Sequence, residues 1–139
     1  MIAEGERVMV DTGAWVALAL QRDPLNARAK EILENLLRKG ARLLSSLPIV
    51  VETFTFLDRK YDRALALRWR DSLSDLPRFE VLECTPADLR AAWAYLDRKE
   101  FHRLGIVDAT TFAVMRRQRL RVAFAFDVHF AVAGFRYVD

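Results

Sequence analysis

A chain of 139 residues fits one domain, spanning 1–139, with room for a full core. A hydrophobic fraction of 53% against 29% charged residues excludes intrinsic disorder, and no apolar run reaches the length of a membrane span. The net charge of +3 is modest, the single cysteine excludes an internal disulfide, and residues 1–6 do not read as a signal peptide, so the expected location is the cytoplasm.

Arg7 to Val10 reads as a short buried strand, followed by a brief helical segment from Gly13 to Leu20. Asp23-Pro24 then looks like an N-cap followed by a proline at the first helical position. Leu25, Ala29, Ile32, Leu33, Leu36 and Leu37 keep helical spacing up to the Arg38-Lys39-Gly40 terminus. Ala41 to Ser45 predicts a second strand. Ile49 to Leu57 carries two signals: β-branched and aromatic alternation, and a helix opening at Ser45-Ser46 and Pro48. The opening favours a helix. Another helix is expected over Ala64 to Leu76, and a strand over Phe79 to Glu83.

Thr85-Pro86-Ala87-Asp88 has the form of a capping box, and Leu89, Trp93 and Leu96 share one face of the helix it starts. Asp108 is expected to open the helix carrying Ala109, Phe112, Ala113 and Met115. Val122 to Phe126 predicts a strand, and Phe135 to Val138 a last one. Arg116-Arg117-Gln118-Arg119-Leu120-Arg121 is either a solvated helix end favoured by the dipole or a rim that steers phosphate. Strands alternating with helices imply a three-layer α/β/α sandwich around a mainly parallel sheet.

Four acids lie at the ends of apolar runs or within them: Asp11 after Val8-Met9-Val10, Glu52 within Ile49–Phe54, Asp108 after Gly105-Ile106-Val107, and Asp127 after Val122–Phe126. Each has an ordinary explanation as a cap, a turn residue or an ion-pair member. Together they point to a shared partner, because carboxylates without a cation repel and desolvate at a cost. In parallel sheets ligands bind beyond the carboxyl ends of the strands, where Asp11 and Asp127 fall. Hard carboxylate oxygens suit Mg²⁺ or Mn²⁺, and the implied chemistry is phosphodiester hydrolysis. Zinc fits poorly, since His102 and His129 lack ligand spacing. The chain has no glycine-rich phosphate loop and no G-x-S-x-G elbow, and Cys84 has no histidine nearby in sequence. A receiver-like domain would want an acidic pair near the first strand and a late lysine, and both are missing.

The motifs Val8-Met9-Val10-Asp11-Thr12, Glu52, Gly105-Ile106-Val107-Asp108-Ala109 and Ala125-Phe126-Asp127-Val128-His129-Phe130 resemble, in that order, the PIN-domain nucleases. Within them the likeness is to the VapC-type toxins of toxin–antitoxin pairs, and it covers essentially the whole chain. The resemblance implies a Mg²⁺- or Mn²⁺-dependent endoribonuclease in which Asp11, Glu52, Asp108 and Asp127 hold metal and Thr12 positions Asp11 or a water. It also implies a homodimer, an RNA substrate, and an antitoxin whose basic tail enters the acidic groove. The same fold would serve a housekeeping RNA-processing nuclease or a non-catalytic RNA- or protein-binding module. Two departures stand out. Ala125 replaces the usual Ser or Thr two residues before the fourth acid, and His129 stands where another acid is common.

Overall fold

In the computed structural model, which describes residues 2–138, five parallel strands form one sheet: β1 (Arg7–Val10), β2 (Arg42–Ser46), β3 (Phe79–Leu82), β4 (Val122–Phe124) and β5 (Arg136–Tyr137), in the order β3-β2-β1-β4-β5. The path runs outward from β1 through β2 to β3, then returns to β4 on the other side and continues to β5. Because crossovers between parallel strands are right-handed, this reversal sends the helices to opposite faces. Helices α1 (Thr12–Ala19), α2 (Asn26–Arg38), α3 (Leu47–Lys60) and α4 (Arg63–Leu73) serve the first two crossovers, and α5 (Pro86–Leu96) and α6 (Ile106–Gln118) the third. A short α7 (His129–Val132), not expected from the sequence, links β4 to β5. The three-layer α/β/α architecture is therefore as expected. Its direction of travel switches between β1 and β4, the place where a crevice opens.

Local chemistry explains the elements. Val8, Met9 and Val10 are fully buried, as a central strand covered on both faces requires. Ser46 ends β2 and also N-caps α3, its hydroxyl accepting from Ile49 N, with Pro48 in the first turn. That cap decides the Ile49–Leu57 stretch in favour of helix, and Ile49, Thr53 and Leu57 form its buried face. The capping box at Thr85 and Asp88 is present with both reciprocal hydrogen bonds. A buried hydroxyl knits the sheet to the first helix: Ser45 donates to Val10 O and accepts from Trp15 Nε1. Trp15 and Trp69 are core residues in an edge-to-face pair, whereas Trp93 is half exposed.

Several boundaries differ from those the sequence predicts. Asp23-Pro24 does not start α2. Asp23 instead holds a turn by accepting from Leu25 N, and the helix begins at Asn26. Asn26 is buried because its amide donates to Ala17 O and Leu18 O, sealing the end of α1. β4 stops at Phe124, so Asp127 lies in the loop beyond it rather than at the strand end. Asp108 does not open α6; Gly105 is the cap and Asp108 the third helical residue. Two of the four arginines in the Arg116–Arg121 cluster have structural partners. Arg116 donates to Ala133 O and stacks on Phe135, and Arg117 is ion-paired with Asp88. No helix among the described residues is long and apolar enough to cross a membrane.

Candidate active site

The four sequence-nominated acids meet at the carboxyl edge of the sheet, around the switch between β1 and β4. Asp11 follows β1 directly. Its N–H continues the ladder to Phe124 O at 3.0 Å, and its carbonyl accepts from Ala14 and Trp15 to begin α1. The Asp11 side chain does not cap that helix, although it occupies the N-cap position. It is 4% exposed, and its Oδ1 has no hydrogen-bond partner. A buried carboxylate oxygen left without a donor is costly, and native structures keep few of them.

The neighbours of Asp11 raise that cost. Burial pushes its pKa up to about 8, and the charges of Asp108, Glu52 and Asp127 act in the same direction, partly offset by a hydrogen bond from the Thr12 backbone. Asp108, half-buried in the first turn of α6, is pushed up to about 6 by desolvation, then by Asp127 and Glu52, against an opposing effect of His129. Asp108 and Asp127 are close enough to share a hydrogen bond. All four acids therefore feel one another electrostatically, though they come from four separate segments of the chain.

Glu52 is held in place by Thr12, whose hydroxyl donates to Glu52 Oε1 at 2.7 Å. The expected partner of Thr12 is Asp11 or a water; the structure gives Glu52 instead. Asp127 Oδ1 accepts from His129 N at 2.8 Å, and His129 Nδ1 stands 2.7 Å from the same oxygen, off the line of a hydrogen bond. His129 thus supports Asp127, a role that sequence spacing does not reveal. Ala125 is buried and brings no hydroxyl to the cluster. Tyr137 also steadies this loop by donating to Asp127 O at 2.6 Å.

Among the described residues, no three acidic, histidine or cysteine side chains are drawn close enough to cage an ion unaided. Asp108 and Asp127 approach each other as a pair, and no third such side chain joins them at ligand distance among the described residues. The donor set still suits a hard divalent cation, which keeps several of its waters and needs few direct carboxylates. The unpartnered Asp11 oxygen and the raised pKa values mark a place where added positive charge would be stabilising.

Comparison with known proteins yields consistent matches. Residues 8–136 match the family model described as "PIN domain". The chain is 35% identical over 130 residues to a Mycobacterium tuberculosis protein named 23S rRNA-specific endonuclease VapC20, covering 92% of this chain and 95% of that one. The crystal structure of M. tuberculosis VapC20, titled a sarcin-ricin loop cleaving toxin, superposes with a TM-score of 0.78 at 30% identity over 92% of this chain and 95% of the other. VapBC2 from Rickettsia felis, solved bound to a promoter DNA fragment, matches at TM-score 0.68 and 13% identity over 94% and 96%, a likeness of fold alone.

Proposed function

The chain belongs to the PIN-domain nucleases, and from that premise we propose that it is a divalent-metal-dependent endoribonuclease whose site is Asp11, Glu52, Asp108 and Asp127. The observation that carries this reading is Asp11: buried, lacking a partner on Oδ1, and surrounded by three other carboxylates. Mg²⁺ or Mn²⁺ would be held by these four carboxylates, and when bound would neutralise them and supply Lewis-acid activation of water and of the scissile phosphate.

The chain's own residues provide the frame. Asp11 is fixed at the end of the central strand and Asp108 in the first turn of α6, so both sit on rigid elements. Thr12 orients Glu52, and the His129 N–H orients Asp127. The reaction adds water across an RNA phosphodiester, breaking one P–O bond. No histidine is needed as general base. The 35% identity to an rRNA endonuclease makes ribosomal RNA the first substrate to try.

The toxin likeness supports a role as the toxin of a pair, neutralised by an antitoxin with a basic tail. An exposed apolar trough of about 590 Å³ lined by Leu47, Pro48, Val51, Phe56 and Val107 beside Glu52 supports self-association as a homodimer. The deciding experiment is RNA cleavage by the wild type and by Asp108→Asn, with Mn²⁺ and with a chelator. Metal-dependent cleavage lost in Asp108→Asn is the expected result. Undiminished cutting by that variant, from preparations free of contaminating nuclease, would sink the reading.

A further inference from the structure

The amino edge of the sheet, opposite the acids, carries a feature of the other sign. Arg7 on β1 is paired in register with Arg42 on β2. The β2–β3 register pairs Leu43 with Phe79, so Arg78 stands one position earlier, opposite Arg42. Paired positions in a sheet project to the same face, which sets Arg7 and Arg42 side by side on strands about 4.8 Å apart, with Arg78 just before β3 next to them. The three arginines line one cavity of about 370 Å³ with Leu44, Glu80 and Gln118. Arg121, one position before β4, lies next to the row but does not line the cavity.

Like charges side by side across a sheet are unfavourable unless something offsets them. Among the described residues, none of Arg7, Arg42, Arg78 and Arg121 makes a salt bridge, and Glu80 on the same wall is not within ion-pair distance of any. Arg7 donates to Gln118 O at 2.7 Å and Arg78 to Ala41 O at 3.4 Å, which anchors both stems but leaves their charge in place. Arg42 is exposed and has no protein acceptor among the hydrogen bonds of the described residues. Arg78 also holds a left-handed backbone, φ 57°, where glycine or asparagine would be unstrained.

We propose that this row is a second RNA-binding site, gripping the phosphate backbone of a folded substrate away from the cleavage centre. The proposal rests on the ribonuclease reading above. Guanidinium forks match phosphate oxygens, and a row of roughly 10–14 Å, from three or four strands, tracks a run of backbone where a single pocket would take one anion. Arg7 and Asp11 are four residues apart on one strand, about 13 Å, so only an RNA large enough to reach around the sheet touches both. A long folded RNA gains from the row; a short oligonucleotide in the acidic site does not.

The test uses filter binding of purified ribosomal RNA, and of a short single-stranded oligoribonucleotide, over a salt series in a chelator. Cleavage of both RNAs is followed separately with Mn²⁺. The variants are Arg42→Gln, whose exposed side chain makes it safe for the fold, and Arg42→Gln/Arg78→Asn, which also relieves the left-handed strain. For each phosphate deprived of its arginine, the slope of log affinity against log salt should fall by about 0.7–0.9. Ribosomal RNA binding should weaken about ten-fold in the double variant, its thermal midpoint should hold or rise, and cutting of the short oligonucleotide should not change. Unaltered ribosomal RNA affinity and slope would overturn the proposal. Equal weakening for both RNAs would overturn it too, by showing a diffuse charge effect. If the arginine variants behave as expected while the wild type cuts neither RNA, the binding row stands and the nuclease reading falls. If the wild type cuts RNA and the arginines are neutral, the reverse holds.

Discussion

Asp11 and Asp88 are buried almost equally, 4% and 3% exposed, yet their surroundings push them in opposite directions. Asp88 accepts from Arg117 Nε and Nη2 at 2.9 Å and from the Thr85 backbone at 2.8 Å, and its pKa is lowered, chiefly by Arg117. Asp11 has an oxygen with no donor, and its pKa is raised to about 8, first by burial and then by the carboxylates around it. One carboxylate completes a joint between α5 and α6. The other has no positive partner among the described residues. Burial pushes both acids upward; a guanidinium beside the carboxylate reverses this for Asp88, and no cation does so for Asp11.

The sharpest way to break this comparison is activity. Asp11→Asn should lower RNA cleavage more than about 100-fold, beyond the 10–100-fold typical of groups that merely support a metal ligand. Asp88→Asn should lower it only as far as the folded fraction falls. Equal loss of cleavage per folded molecule in the two variants would erase the distinction.

Stability should separate the two aspartates by sign. Asp88→Asn removes the charge that Arg117 and the α5 cap both use, at a cost of about 2–3 kcal/mol near neutral pH. Because the Asp88 pKa is lowered, that contribution is present above the unfolded value and disappears as pH falls through the folded one. Asp11→Asn should instead stabilise the metal-free protein at pH 8, by an amount on the order of 1 kcal/mol or more. Thermal melts of both variants in a chelator at pH 5 and pH 8 check this. A lower midpoint for Asp11→Asn at pH 8 would refute the account of Asp11.

The acids stand out in the sequence because each interrupts or ends an apolar run, and for Asp11 and Asp108 a strand end and a first helical turn fix where the residue goes. The helix carrying Glu52 was legible from Ser46 and Pro48 once the cap was weighed above the alternation. What escaped needed long-range information. Thr12 could not be assigned to Glu52 without knowing how α1 meets α3, 40 residues apart. Asp23-Pro24 imitates a helix start, and only the demand of Ala17 and Leu18 for a donor places Asn26 at that boundary. The alignment of Arg7, Arg42 and Arg78 depends on strand register, which spacing along the chain does not specify.

Protons and metal should compete for the same oxygens. Between the ordinary carboxylate range and about pH 8, the folded protein binds more protons than the unfolded chain, since the values for Asp11 and Asp108 are about 8 and about 6. Without metal, this contribution to stability therefore falls as pH rises across that window. With Mn²⁺ the trend should weaken or reverse, because the carboxylates must be ionised to bind it and binding stabilises the folded state. The rise in melting temperature caused by Mn²⁺ should grow from pH 5 to pH 8. A rise independent of pH would place the ion elsewhere.

The smallest expected effect tests the support of the site. Thr12→Val keeps the shape and branching of the side chain but removes the hydroxyl that donates to Glu52 Oε1 at 2.7 Å. Thr12 is only half-buried in the second position after β1, so the fold should tolerate the change within about 1 kcal/mol. Glu52, on the second turn of α3, then loses a donor that fixes its rotamer, and Mn²⁺ affinity should drop about ten-fold. Thr12→Ser should recover most of it by restoring the hydroxyl. Asp88 again supplies the contrast: its Thr85 partner holds a helix end, so Thr85→Val should lower the melting temperature and leave Mn²⁺ affinity unchanged. If calorimetry finds Thr12→Val binding Mn²⁺ as the wild type does, Glu52 does not depend on that hydroxyl and the two threonines differ less than their settings imply.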